Sequence, residues 1–216
     1  MIAAAIVAAL AGIAIGGVGS STARTWRTGV WLQVGSAGLL ASAGFAAVAG
    51  GSELGSDFTN ALEPRVGVDP LSALFLATVG VVAAPALAFS LDYLKPDRRG
   101  RLVSGLTAAF VLVLTAALVA RDPLTFLAAW ELMTLVPAVL ILVAHQGSRS
   151  ARRTVFTYVA ITHLGGAGTW IAVLLLAENG AFGGGDAIAT GSPTQIAIAL
   201  AALVGMGTKA GVMPFH

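Results

Sequence analysis

The sequence predicts an all-α, polytopic membrane bundle of about seven transmembrane helices. Three observations carry that expectation. Apolar residues fill 57% of the 216 positions and charged residues only 10%, against about 25% charged in a typical soluble domain. The apolar residues are gathered into seven runs, each near the ~20 residues that a helix needs to cross hydrocarbon. The charges lie mostly between the runs, and their density alternates from loop to loop.

The predicted spans are residues 2–18, 30–49, 71–91, 102–120, 124–144, 155–177 and 196–215. The first has no Lys or Arg before Arg24, whereas a secretory signal begins with a basic segment. It is therefore read as a first span, with a cleaved signal as the competing reading. Gly and Ala recur in every run, and small residues let helices approach closely in lipid. Residues 178–194 are Gly-rich and end in Ser192-Pro193; they read as an exposed loop. No internal repeat is evident. The chain divides into three leading helices with their loops (1–101) and a second helical group (102–216). The last residues, Pro214-Phe215-His216, add no polar tail to the last run, so a fragment of a longer protein is expected.

Loop charge sets the expected orientation. The first, third and fifth loops hold nine of the twelve Lys and Arg residues: Arg24, Arg27, Lys95, Arg98, Arg99, Arg101, Arg149, Arg152 and Arg153. The second and fourth hold Arg65 and Arg121, and the sixth holds none. Positive loops stay cytoplasmic, which places the N-terminus outside a cell inner (plasma) membrane. The basic residues line no single amphipathic face, so nucleic acid is not an expected partner; the lipid bilayer is. With no cysteine in the chain, disulfides, thiolate metal sites, iron–sulfur ligation and cysteine nucleophiles are excluded. No nucleophile–base pair or phosphate-binding glycine loop stands in the exposed segments, and no cofactor or metal site is expected.

Three ionisable residues lie deep in the runs: Glu131, His163 and Lys209. A charge near the bilayer centre costs at least about 2.5–3.5 kcal/mol, so such residues usually have a partner or a wet cavity. Glu131 follows Asp122 by nine residues, or about 13 Å of helix. His163 follows Arg153 by ten, or about 15 Å. Lys209 follows Thr194 by fifteen, or about 22 Å, nearer the cytoplasmic half. Two readings stand. In the structural one, Glu131 pairs with Lys209 and His163 serves a backbone carbonyl. In the functional one, Glu131 and Lys209 carry protons as a coupled pair, and His163, which titrates near neutrality, bridges them. Two prolines favour the second reading. Pro137 frees the carbonyl of Met133, and Pro214 frees that of Ala210. Broken backbone at membrane depth is tolerated where protein or water satisfies it. His216 is a further candidate on the same axis.

An ordered set of short motifs carries a family resemblance: Val68-Asp69-Pro70-Leu71-Ser72, Trp130-Glu131-Leu132-Met133, Thr162-His163 and Lys209-Ala210-Gly211-Val212-Met213-Pro214-Phe215-His216. The set resembles the antiporter-like proton-translocating subunits of respiratory complex I, and most of all the hydrogenase-4 or formate-hydrogenlyase component B branch. The resemblance covers nearly the whole chain and about the first half of a family member. It implies a fourteen-helix fold with two inverted five-helix repeats, of which this chain supplies the leading helices and most of the first repeat. It implies that Glu131 is the fifth-span glutamate and Lys209 the seventh-span lysine of a proton half-channel. The partners implied are other membrane and redox subunits of a complex I-like or hydrogenase-like assembly, with no redox centre on this chain. The chain departs from the family in stopping at the last motif and in having Pro137.

The function expected is thus proton translocation in a redox-driven pump, such as a complex I-like NADH-quinone oxidoreductase or a hydrogenase-4-like complex. The alternatives are a subunit of a multi-subunit Na⁺/H⁺ antiporter and a non-pumping membrane anchor for a hydrogenase-like module.

Orientation is directly testable. A cysteine placed at Ser148, in the loop at 146–153, should react with an impermeant thiol reagent only from the cytoplasmic side. Labelling from outside overturns the assignment.

Overall fold

The computed structural model describes residues 1–60, 62–182 and 188–212. Among these residues are seven helices: α1 (Ile2–Ser20), α2 (Trp26–Ala49), α3 (Pro70–Tyr93), α4 (Arg98–Val119), α5 (Pro123–Ala144), α6 (Arg149–Glu178) and α7 (Pro193–Lys209). A small antiparallel ladder that the hydrophobic pattern did not signal, β1 (Leu54–Gly55) with β2 (Gly67–Val68), lies between α2 and α3. Helices α1 to α6 are long and apolar enough to cross a membrane. The chain is an all-α, polytopic membrane bundle, as its composition predicts.

The helix starts follow one local rule. Asp69, Asp97, Asp122, Ser148 and Ser192 each accept, through a side-chain oxygen, the N–H three residues ahead. That bond satisfies one of the unpaired donors at a helix start. In α3, α5 and α7 a proline follows the cap, where its fixed φ and missing N–H cost nothing.

The seventh helix corrects the expected span at 196–215. It begins at Pro193, because Ser192-Pro193 is a cap and first residue rather than the end of a loop. It stops at Lys209, because Gly211 turns into the left-handed region at φ 68°. The Gly211 N–H then bonds the Thr208 carbonyl at 3.4 Å, and the Val212 N–H bonds the Gly207 carbonyl at 3.0 Å. This paired closure ends a helix and satisfies its last carbonyls. Pro214 and His216 lie outside the described residues. Pro137 also departs from expectation, since α5 runs through it without ending, as α3 runs through Pro85.

Helices α1 to α4 form one packed group: α2 lies against α1 and α3, and α4 against α1 and α3. Its core includes Ile13, Leu40, Leu76 and Leu87, all buried. At the α2–α3 contact a Cβ on Gly80 would stand 2.5 Å from the carbonyl oxygen of Ala37. The backbones therefore touch, as small residues allow in lipid. From α4 the chain continues outward, with α5 on α4, α6 on α5 and α7 on α6.

A polar latch joins the two groups at the ends of α3, α4 and α5. The Arg121 guanidinium, nearly buried, donates to Ser72 Oγ at 2.9 Å and to the Ala120 carbonyl at 3.0 Å, with Asp69 at 3.4 Å. Asp122, fully buried, accepts the Arg65 and Thr125 N–H groups, each at 2.8 Å. Burial pushes both carboxyls up. The Ser72 N–H and hydroxyl and the Arg121 charge outweigh this at Asp69, and the Thr125 and Arg65 N–H groups outweigh it at Asp122, so both fall below the ordinary value of 3.8.

A carboxyl that titrates lower when folded stabilises the fold fully above the unfolded value and loses that effect as pH falls through the folded one. The melting temperature in detergent should therefore drop as pH is lowered from about 5 to about 3. Asp122→Asn keeps one capping oxygen but replaces the other acceptor with an amide NH2; it should cost about 1–3 kcal/mol near neutrality, as for a buried donor left without its partner, and should flatten the acid limb. An unchanged acid limb in that variant would show that the latch carboxylate does not contribute.

Candidate functional site

The site is built where α5, α6 and the end of α7 meet. Glu131 is on the face of α5 that meets α6. Its Oε1 accepts the Trp170 indole N–H at 3.0 Å, and its Oε2 lies 3.4 Å from His163 Nε2. His163, Gly166 and Trp170 are spaced three and four residues apart, which stacks them on one stripe of α6. Gly166 makes room for the carboxylate: a Cβ there would lie 2.9 Å from Glu131 Oε1.

The histidine contacts fix where one proton is. His163 Nδ1 is 3.1 Å from the Val159 carbonyl. A carbonyl only accepts, so Nδ1 carries hydrogen. The other nitrogen faces a carboxylate oxygen. Their contact is favourable when one proton lies between them, either as imidazolium with carboxylate or as neutral imidazole with carboxylic acid. The arrangement can thus hold a proton and pass it between two side chains on different helices.

Lys209 is brought in by the close packing of α7 on α6. A Cβ on Gly168 would stand 2.6 Å from the Ala201 carbonyl oxygen. One end of that seam sets Thr208 against Gly165, the seventeenth residue of α6. Helix α7 therefore ends beside the middle of α6. The Lys209 ammonium donates to the Trp130 carbonyl and sits 4.2 Å above the Trp130 ring centroid. Both contacts suit a cation: the carbonyl is a strong acceptor and the ring face is electron-rich. A cleft of about 600 Å³ opens at the lysine, lined by Arg153, Thr154, Thr157, Tyr158, Thr162 and Thr208. A second, open cleft of about 520 Å³ borders Glu131, His163 and Trp170.

Glu131 and His163 are therefore in direct contact, and Lys209 is anchored one residue along α5. The expected direct pairing of Glu131 with Lys209 is not formed. The carboxylate oxygens are taken by Trp170 and His163, and the ammonium by Trp130. The charge of Glu131 still acts on the ammonium. The bridging place given to His163 between glutamate and lysine is replaced by a place between Glu131 and Val159. Pro137 lies six residues beyond Glu131 inside continuous helix. Trp170 was not among the residues the sequence pointed to, although its spacing of seven from His163 would have placed it on the same stripe. Among the described residues, no three of His, Cys, Asp or Glu gather as a metal site would require.

The indole bond gives a prediction. Trp170→Phe removes the donor to Glu131 and should cost about 1.5–3 kcal/mol of stability, as for a hydrogen bond to a charged group. In a Glu131→Gln background it should cost less, because the two side chains act together. Unfolding in detergent followed by circular dichroism reads both. Equal costs in the two backgrounds would show that the indole contributes by packing alone.

No family model matches the chain. Two proteins of Mycobacterium tuberculosis share sequence with it: the uncharacterized protein MT0090 of strain CDC 1551 / Oshkosh and the uncharacterized protein Rv0083 of strain ATCC 25618 / H37Rv. Each is 31% identical over 155 residues, which is 70% of this chain and 24% of the relative. The chain spans about a quarter of the length of these relatives.

Proposed function

We propose that the chain forms part of a proton-translocating membrane subunit of a redox-driven pump, of the complex I-like NADH-quinone oxidoreductase or hydrogenase-4-like kind. The observation that carries the reading is the Glu131–His163 contact, a carboxylate and an imidazole from two membrane helices arranged to hold one proton. Ionisable groups inside a membrane are costly, and proton relays are among the functions they mark. Lys209 supplies the control. A cation one residue from Glu131 favours the ionised carboxylate, and discharge of the lysine removes that field. Loading Lys209 through the cleft at its side, which Arg153, Thr157, Tyr158 and Thr162 help to line, then shifts the proton from Glu131 toward His163. Electron carriers sit on partner membrane and redox subunits in this reading, since the chain has no cysteine. The membrane is the cell inner membrane, with the N-terminus outside and the basic loops in the cytoplasm, as loop charge favours.

The test is proton uptake into vesicles that carry the protein with its partner subunits, measured beside electron-transfer rate and subunit content. Glu131→Gln and Lys209→Met should each depress uptake by about 100-fold or more, the lower range for removal of an acid–base group, with assembly intact. His163→Ala should depress it as well, since the imidazole is the carboxylate's proton partner. The double Glu131→Gln/Lys209→Met variant should be less harmful than additivity predicts. Normal uptake in both single variants would sink the relay and leave an anchoring role.

A further inference from the structure

We infer that the basic end of the bundle holds a binding site for the phosphate of an anionic phospholipid headgroup, in the cleft between the start of α2 and the end of α3. The cleft measures about 550 Å³ and is lined by Arg24, Trp26, Arg27, Leu91, Asp92 and Lys95, among others. It takes no part in the proton relay, and the inference stands whether or not that relay exists.

Independent features converge there. Arg24, Arg27 and Lys95 come from two loops and one helix start, and among the described residues none of them is in an ion pair. They face the single carboxylate of Asp92, so the cleft carries a surplus of positive charge. The start of α2 is uncapped by any side chain. Thr25, in the cap position, donates its hydroxyl to the Gly19 carbonyl at 2.7 Å instead of accepting a first-turn N–H. A 24-residue helix thus presents free N–H groups and the positive end of its dipole to the cleft, a natural seat for a phosphate. Trp26, only 4% exposed, stands in the cleft wall, and its indole Nε1 has no hydrogen-bond partner.

The surroundings select a lipid over a free anion. The cleft is at the ends of two helices long enough to cross the membrane, where tryptophan and basic residues meet headgroups. Leu91 lines it, and one helical turn away Leu87 lines an apolar cleft of about 340 Å³ between α3 and α4, together with Val82, Phe110 and Leu114. Basic pockets between membrane helices on the positive side recognise anionic headgroups by this chemistry. Asp92 opposes it and limits affinity.

Native mass spectrometry of the detergent-solubilised protein tests the site, with phosphatidylglycerol, phosphatidylcholine and inorganic phosphate as probes. Phosphatidylglycerol should bind in preference to phosphatidylcholine, and inorganic phosphate should not match it. Arg24→Gln/Arg27→Gln/Lys95→Gln should weaken phosphatidylglycerol on the order of 100-fold, at about fivefold for each charge. Asp92→Asn should tighten it about fivefold, which keeps the test decisive if the triple variant folds poorly. Equal binding of the two lipids, or Asp92→Asn without effect, would overturn the inference. Equal binding of inorganic phosphate would overturn the lipid and assign the cleft to a soluble anion.

Discussion

Hydrocarbon offers no water to a carbonyl, an amide or a carboxylate, so each polar group carried into the bilayer must find its partner within the protein. That constraint shapes every part of this molecule. It makes the spans helical, because a helix satisfies its own backbone. It explains why capping side chains open five of the seven helices, from α3 onward. It also explains why the buried Asp122 carboxylate at the start of α5 is held by two N–H groups.

The same constraint gives the end of α7 its meaning. Most of these helices stop at the rim of the bundle, but α7 stops beside the middle of α6. The paired closure at Gly211 satisfies the last carbonyls without help from other helices. Lys209 then brings a positive charge to the negative end of the helix dipole, a favourable place for a cation. Trp130 completes the arrangement with one residue, offering its carbonyl and its ring face to the same ammonium. A single residue of α5 thereby spaces lysine from glutamate while keeping each within the other's field.

The membrane class and the order of the helices were legible because they depend on composition and on the length of the apolar runs. Pairing was not legible. Depth along separate helices says nothing about which faces meet, so Glu131 was assigned to Lys209, when the rotation of α6 presents His163 and Trp170 to it. The end of α7 was missed for a different reason. Apolar residues continue past Lys209, and hydropathy cannot see that Gly211 will turn left-handed. The Arg121 latch was hidden because its members are dispersed along the chain, and each looks like ordinary loop charge by itself. The Asp-Pro pairs at 69–70 and 122–123 were the available signal, since that dipeptide opens helices.

The Glu131–His163 contact has an electrical consequence. Whether the proton sits on the carboxylate or on the imidazole, the pair carries no net charge; the exchange makes or removes a local ion-pair dipole and transports no ion. The donor and acceptor atoms are 3.4 Å apart, about a tenth of a hydrocarbon thickness of ~30 Å. A potential of 100 mV is worth about 2.3 kcal/mol for a unit charge crossing the whole membrane, so it changes this exchange by no more than about 0.2–0.3 kcal/mol. Transfer inside the pair is therefore nearly blind to membrane voltage. In a chain of such steps, the voltage acts on the stages that bring protons to the pair and carry them away.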